Sequence, residues 1–558
     1  MARHPIILQA RAGSSRLPGK VLKPLGGKPM LAWIVERLRA MKRGGPLVIA
    51  TSDKPADDAV AALGASLGVE VFRGSESDVL DRYYRCAKEK GFSTVVRATG
   101  DNPFVDPNEG DRLLELFETK SWDYASAFPG FGSGLPSGVG LEIMTFAALE
   151  RSWKEGKKPH HREHVNEYIQ ENPALFKQGV LKAPAEKTAP AASLTVDTPE
   201  DFARAEKLYA AYQKERPGQS PPAAWAIAAS PRIGFSTFAD HQMGMGHAYR
   251  CLRLRDAFAA AWPGASFVFE LEPGREGFDL IGKNRPGEAR PADHAGPWDV
   301  LVVDRLEVSP AEMRSLKKGA RVLVSLDDAG AGRWEADLAF NALYAAKAPK
   351  PAGSPAEARD GFDSLFLDPA FSRIKKTAGP VRRILLSQGG ADTYGLVPKL
   401  LEGLAPWLKV NPGVAVEALI GPAFRHETEL AAALAKCGGA ASAARGTDDM
   451  PALFAKADLA ISGAGLVACE LAAAGVPTLL VTGERKELET AAALAARGAA
   501  IDLGYFDGEA PARVARAVEG LALDAGRRER LSASAQKAID GKGLERLTSA
   551  LRARLGGS

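Results

Sequence analysis

Two segments of this chain carry the same signature, and it restricts the fold more than any other feature. Pro5-Ile-Ile-Leu-Gln9 is a short apolar run that enters the glycine- and serine-bearing turn Arg11-Ala-Gly-Ser-Ser-Arg16. Arg232-Ile-Gly-Phe-Ser236 does the same and reaches Gly244-Met-Gly246 a few residues later. A buried strand that breaks at glycine and gives way to a helical pattern opens an α/β unit. The alternation continues after each. Residues 47–50 and 94–97 read as buried strands, and residues 30–41 carry apolar side chains at helical spacing. Further on, 299–303 and 321–325 read as strands of one lobe, and 383–387, 458–462 and 478–481 as strands of another. A polar, proline-rich stretch around residues 345–355 stands between these lobes. The fold class is α/β: a Rossmann-type domain with a largely parallel sheet, then a two-lobed region with a ligand cleft between its lobes.

The segment Glu215-Arg-Pro-Gly-Gln-Ser-Pro-Pro222 reads as a linker. The expected division is a first domain at 1–214, a linker at 215–230, a first lobe at 231–375 and a second, nucleotide-binding lobe at 376–558. Of 558 residues, 72 are Lys or Arg and 68 are Asp or Glu, a net charge of +4. That balance gives no reason to expect a nucleic-acid partner. No run of about 18 apolar residues exists, so no membrane span is expected. The four cysteines show no CxxC spacing, which argues against a zinc site or disulfide framework. The start of the chain lacks an apolar signal-peptide core, so a cytoplasmic location is expected. The charged C-terminal tail reads as a solvated helical face.

The turn after the first strand holds Arg11, Arg16 and Lys20 around Gly13. Backbone N–H groups of such a turn can cradle phosphates, and the cations neutralise them. The spacing is neither that of a Walker loop nor GxGxxG. Arg97-Ala-Thr-Gly-Asp101 and Leu194-Thr-Val-Asp197 each end a strand in an aspartate. Two carboxylates at neighbouring strand ends suit Mg²⁺ held against substrate phosphates. Taken alone, Asp197 reads better as the N-cap of a helix opening at Pro199. The basic loop beside both aspartates favours the metal pair.

Six collinear motifs, QARAGSSRLPGKVLKPLGGKPM (9–30), FRGSESDVLDRYYRCA (72–87), RATGDNPFVDP (97–107), GVGLEIM (138–144), REHVNEYI (162–169) and LTVDTPEDF (194–202), make residues 5–210 resemble the sugar-acid cytidylyltransferases. The resemblance is to the spore-coat polysaccharide branch of the CMP-acylneuraminate and CMP-Kdo synthetase family. It implies a glycosyltransferase-A-like nucleotidyltransferase fold, transfer of CMP from CTP to a sugar acid with pyrophosphate release, Mg²⁺, and a homodimer through this domain. By motif position, Arg11 and Lys20 would hold the triphosphate, with Ala10, Gly13, Ser14 and Arg16 against the nucleotide. Asp101 and Asp197 would bind Mg²⁺, and Asp78 would shape the nucleotide or sugar pocket. The branch commonly shows Gly-x-Asp-x-Glu where this chain has Gly138-Val-Gly-Leu-Glu142, leaving Gly140 at the acidic position. His164 is placed to contact the acceptor or to sit on a polar helix surface.

In the second half, His247 follows Gly246 at the start of a helical pattern. A helix N-terminus attracts a diphosphate and disfavours a protonated imidazole, so a neutral histidine there suits general-base work. Packing or capping is the competing reading. Two further glycine-bearing turns, at Gly389 and Gly390 and at Ser462, Gly463 and Gly465, read as phosphate sites, and Glu470 as an acceptor for ribose hydroxyls. The motifs MGMGHAYRCLRL (243–254), LVVDRLEV (301–308), VSLDDAG (324–330), ADLAFNA (336–342), ILLSQGGAD (384–392) and ISGAGLVACELAAAGVPTLLV (461–481) make residues 231–505 resemble the UDP-sugar hydrolase of pseudaminic acid biosynthesis and its spore-coat relatives. That resemblance implies the two-lobed glycosyltransferase-B fold and water attack on a UDP-sugar with His247 as base. Three positions depart from it. Ser236 and Phe238 stand where the family has Arg and Asp, and Arg305 follows Asp304 where an aromatic residue is usual.

Together the resemblances imply a bifunctional enzyme of nonulosonic (pseudaminic- or legionaminic-like) acid biosynthesis. It would use CTP and a sugar acid in one half and hydrolyse a UDP-linked 2,4-diacetamido-trideoxyhexose in the other. A glycosyltransferase, or a non-catalytic nucleotide-sugar-binding module, is the alternative for the second half.

Overall fold

The computed structural model describes residues 3–190, 192–238, 246–292, 296–342, 349–376, 379–390, 392–421, 424–445 and 449–555. Three α/β sheets follow one another along the chain. The first contains β1 (His4–Gln9), β4 (Gly44–Ser52), β5 (Glu70–Gly74), β6 (Thr94–Thr99), β7 (Tyr124–Ser126), β8 (Glu142–Thr145) and β9 (Gln178–Val180), in the order β5-β4-β1-β6-β8-β7-β9. A two-stranded hairpin, β2 (Pro24–Leu25) with β3 (Lys28–Pro29), lies apart from it. Strands β5, β4, β1 and β6 are mutually parallel, and β8 runs antiparallel to both β6 and β7.

The second sheet holds β10 (Arg232–Thr237), β11 (Ser266–Leu271), β12 (Ala289–Pro291), β13 (Trp298–Asp304), β14 (Ala320–Leu326), β15 (Leu338–Asn341) and β16 (Glu357–Asp360), ordered β12-β11-β10-β13-β14-β15-β16. The third holds β17 (Arg383–Ser387), β18 (Ala415–Ile420), β19 (Ala441–Arg445), β20 (Leu459–Ser462), β21 (Thr478–Thr482) and β22 (Ile501–Tyr505), ordered β19-β18-β17-β20-β21-β22. Both sheets are wholly parallel. Each half is therefore α/β as expected, and the second half is two-lobed as expected.

The central strands are continuous apolar runs because helices cover both faces. Ile7 and Val48 face one core while Ile6, Leu8 and Ile49 face another across the same sheet. In all three sheets the first strand lies between the second and the fourth, so the strand order reverses beside it. Open α/β sheets build ligand sites at the carboxyl edge of that reversal. The candidate positions are then the ends of β1 and β6, of β10 and β13, and of β17 and β20.

Two segments differ from the sequence reading. Part of the expected linker is the helix Ala223–Ala228, whose Ala223 and Ala226 enter the first domain's core. The C-terminal tail is not only a solvated face. Its last helix, Gly543–Leu555, returns to the first lobe and buries Leu544, Leu547 and Leu551 among that lobe's strands. The lobes are consequently joined twice. The chain crosses outward between β16 and Phe371 and comes back between Ile539 and Leu544. The crossings touch: a Cβ on Gly543 would lie 2.1 Å from the Leu365 carbonyl oxygen, and Arg546 Nη1 donates to the Asp363 carbonyl at 3.4 Å. No described helix is long and apolar enough to cross a membrane.

Candidate functional site

At the carboxyl ends of β1 and β6 lies a cavity of about 330 Å³ whose walls include Ala10, Arg11, Ser14, Arg16, Lys20, Asp101 and Asp197. Lys20 opens a single 3-10 turn after Gly19, which takes the left-handed conformation at φ 69° that glycine allows. Its ammonium is buried and donates to the Val196 carbonyl at 2.7 Å and to Asp197 Oδ1 at 2.9 Å, with Asp101 Oδ2 at 3.8 Å. Arg16 Nη2 approaches Asp197 Oδ1 to 3.3 Å. The oxygens of both aspartates thus converge on one point, presently held by a cation.

The capping reading of Asp197 does not hold. Thr198 is the N-cap of the helix Pro199–Gln213, in a reciprocal capping box with Asp201. That leaves the Asp197 carboxylate for Lys20. The phosphate-type loop has an anchor the sequence did not reveal. Buried Asp57 accepts a hydrogen bond from Ala12 N–H at 2.5 Å and another from Ser52 N–H at 3.3 Å.

Two other expected residues lie outside the cavity lining. Gly13 is beside Glu76, whose Oε1 a Cβ at position 13 would meet at 3.5 Å. Asp78 caps the helix Val79–Glu89 and accepts from Arg162 Nε at 2.8 Å. It thereby holds the segment that supplies Glu163 and His164 to the cavity wall. Behind the cavity, Arg97 Nη1 meets buried Glu142 Oε2 at 2.6 Å, and Asn166 and Tyr124 also donate to that carboxylate. Burial works against the Arg97 charge, but the Glu142 carboxylate raises its pKa above the ordinary value. At Gly140 a Cβ would lie 2.3 Å from the Ala127 carbonyl oxygen, so no side chain fits at the position where the sequence resemblance implied an acidic one.

At the carboxyl end of β13, in the first lobe, Asp304 is fully buried and receives His247 Nδ1 at 2.7 Å. Arg250 Nε donates to its other oxygen at 2.8 Å, and Cys251 Sγ stands 3.5 Å from that same atom. Burial alone would push the Asp304 carboxyl up; the Arg250 charge and the hydrogen bonds from His247 and Arg250 outweigh it and hold it down to about 2. Arg250 also bridges to Asp327, a non-glycine residue at φ 46°. Gly246 begins the helix Gly246–Ala261 that carries His247, Arg250 and Arg253. The rest of the glycine turn, Gly244 and Met245, lies outside the described residues. The three departures from the hydrolase pattern meet at Arg305: its Nη2 donates to Ser236 Oγ at 2.5 Å, and its guanidinium lies 4.5 Å from the Phe238 ring centre.

A second cavity of about 330 Å³ occupies the ends of β17 and β20 in the other lobe, with Gly389, Gly390, Ser462, Gly463 and Gly465 in its wall. The helices Leu396–Val410 and Leu466–Ala473 both begin there. Asp392 accepts from Leu396 and Val397 N–H at 2.7 and 2.9 Å, which satisfies the start of the first helix. The amide nitrogen of Gln388 and the hydroxyl of Ser462 are buried without a hydrogen-bond partner among the described residues. Buried polar atoms left so in a cavity wall mark a place for a polar ligand. Glu470 is outside that wall. Burial pushes its pKa up to about 7, and it faces Arg253 of the first lobe at 3.9 Å.

The cytidylyltransferase family model matches residues 5–219. Spore coat polysaccharide biosynthesis protein SpsF of Bacillus subtilis is 41% identical over 221 residues, 38% of this chain and 89% of that protein. The chain belongs to the cytidylyltransferase family. An uncharacterized protein of Methanocaldococcus jannaschii is 42% identical to the cytidylyltransferase domain over 208 residues, 37% of this chain and 82% of its own length. The 8-amino-3,8-dideoxy-manno-octulosonate cytidylyltransferase of Shewanella amazonensis is 32% identical over 130 residues, covering 23% of this chain and 52% of that enzyme. Among solved structures, a cytidylyltransferase from Leptospira borgpetersenii aligns with TM-score 0.35 at 30% identity, over 40% of this chain and 99% of that one. Acinetobacter baumannii MurG aligns with TM-score 0.41 at 16% identity, over 58% of this chain and 99% of that one.

Proposed function

We propose that the cytidylyltransferase domain transfers CMP from CTP to a hydroxyl of a sugar acid with release of pyrophosphate, and that the two lobes move a glycosyl group from a nucleoside-diphosphate sugar. The convergence of the Asp101 and Asp197 oxygens on Lys20, beside Arg11 and Arg16, carries the first statement. Two carboxylates completed by phosphate oxygens and water form the hard-oxygen set that suits Mg²⁺. Asp101 and Asp197 would hold the ion, which when bound neutralises charge on the triphosphate. Arg11, Arg16 and Lys20 orient the phosphates so that the acceptor hydroxyl lies in line with the departing pyrophosphate. Positioning and charge neutralisation are what such a transfer requires. The name of the Shewanella enzyme, whose substrate is an octulosonate, supports a sugar acid as acceptor. A nonulosonic acid is the narrower form of this reading, and a dimer through the first domain belongs to it.

For the lobes, support comes from the paired sites: His247 with its buried carboxylate in one lobe and the glycine-lined cavity in the other. Hydrolysis of a UDP-linked diacetamido-trideoxyhexose and transfer to a carbohydrate acceptor call on the same residues and differ only in the attacking hydroxyl.

The test uses the full chain in two assays. One follows pyrophosphate release from CTP across a panel of sugar acids, with and without Mg²⁺. The other follows UDP release from UDP-sugars, with and without carbohydrate acceptors, in the wild type and in His247→Ala. Sugar-acid-dependent pyrophosphate release, and UDP release lost only in the variant, are the expected results. Free sugar identifies a hydrolase and a new glycoside a transferase. UDP binding without release from any sugar would reduce the lobes to a binding module.

A further inference from the structure

Resting on the reading that His247 accepts a proton in the lobes, we infer that Asp304 is its positioning residue, holding the imidazole as the Nδ1–H tautomer so that Nε2 is the proton acceptor. Among the described residues two groups meet Nδ1: Asp304 Oδ1 at 2.7 Å and Arg250 Nη2 at 3.2 Å. Arginine has no acceptor to offer, and an ionised carboxylate has no donor. At the shorter distance the ring faces an ionised carboxylate, so Nδ1 carries the proton and donates to Asp304, while the Arg250 Nη2 group donates to Asp304 and not to the ring. Nε2 has no hydrogen-bond partner among the described residues, so its lone pair is left for a substrate proton.

Asp304 is itself fixed. Arg250 grips both of its oxygens and is held from the far side by Asp327. Asp327 in turn accepts from Ala342 N–H at 2.6 Å at the end of β15. The carboxylates at the ends of β13 and β14 thus lock the guanidinium, and the guanidinium locks the group that orients the ring. This gives a role to the LVVDRLEV and VSLDDAG motifs that their residue types alone did not suggest. In the step served, the attacking hydroxyl gives its proton to Nε2 as the new O–C1 bond forms. The bond from C1 to the diphosphate oxygen breaks, and its electron pair leaves with the nucleoside diphosphate.

A purely structural ion cluster would hold the helix to the sheet just as well, so the decisive readout is the tautomer. The full chain is labelled with ¹⁵N at its histidine rings, and long-range ¹H–¹⁵N correlations are recorded, with His247 assigned by its loss in His247→Gln. The expected spectrum shows Nδ1 protonated and Nε2 bare. In Asp304→Asn, whose carboxamide can itself donate to the ring, the Nε2–H form grows and UDP release falls by at least about 100-fold, as for other histidines deprived of their carboxylate. Binding of UDP by the second lobe is unchanged in that variant. Wild-type His247 protonated on Nε2 overturns the inference, as does a folded Asp304→Asn with wild-type release. Should Asp304→Asn fail to fold, the wild-type tautomer alone decides. If the wild type releases UDP from no sugar, the functional reading fails, and the tautomer still accepts or rejects the assignment.

Discussion

Lys20 is a buried cation set against two carboxylates, and its removal has a definite consequence. In Lys20→Met the pair Asp101 and Asp197 faces the triphosphate without the ammonium between them. Pyrophosphate release is expected to fall by about 10²–10³-fold, the usual loss when a preorganised charge partner is removed. UDP release by the lobes is expected to be unchanged, which the two assays read on one sample. Glu470 makes a prediction in pH. Its folded pKa, pushed by burial to about 7, lies above the ordinary carboxylate value of 4.5. The fold therefore favours the protonated form. The contribution is fully present below about pH 4.5 and is lost as pH rises through about 7, up to roughly 3 kcal/mol. Arg253 moderates the loss and Asp368 adds to it. Urea unfolding followed from about pH 5 to 8 checks this, and Glu470→Gln is expected to flatten the profile. At this scale the sequence was readable where a motif names a residue, as at Lys20 and Asp101. It was not readable where a neighbour decides the role. The capping of the helix by Thr198 frees Asp197, and Asp304 gains its meaning only beside His247, 57 positions away.

Elements were legible in proportion to how completely they are buried. Strands β4, β6, β13, β14, β17, β20 and β21 fall on the apolar runs read from the sequence, because a central parallel strand buries both faces and leaves a continuous signal. The short strands β7 and β9, of three residues each, carry too few positions to show a period. The last helix shows the opposite failure. Leu544, Leu547 and Leu551 recur at i, i+3 and i+7, a one-sided stripe, yet the surrounding Arg, Lys and Glu made the segment read as solvated. What its stripe would face is another lobe more than 150 residues earlier in the chain, and no local pattern shows that. Leu547→Ala is expected to cost about 2–5 kcal/mol, as for other fully buried leucines. The loss belongs to the first lobe, so calorimetry should show that lobe's transition shifted while the cytidylyltransferase domain melts unchanged.

On the scale of the whole molecule, three sheets repeat one solution, with a candidate site at the carboxyl edge where the strand order turns back. The first candidate site is built within its own domain; the other two lie one in each lobe. Saturating UDP is accordingly expected to leave the KM for CTP unchanged, a result read directly from pyrophosphate release. The pair differs, because the helix carrying His247 and the helix opening at Gly465 already approach each other through Arg253 and Glu470. Between those lobes the chain passes twice, and Gly543 lies against Leu365 where the passages meet. Two straps lying side by side behave like the pins of a door hinge. Such an arrangement is expected to restrict sliding and twisting of the lobes more than swinging about the line of the straps. A nucleotide held by one leaf is then expected to draw the other in along one arc, so that the same faces would meet each time.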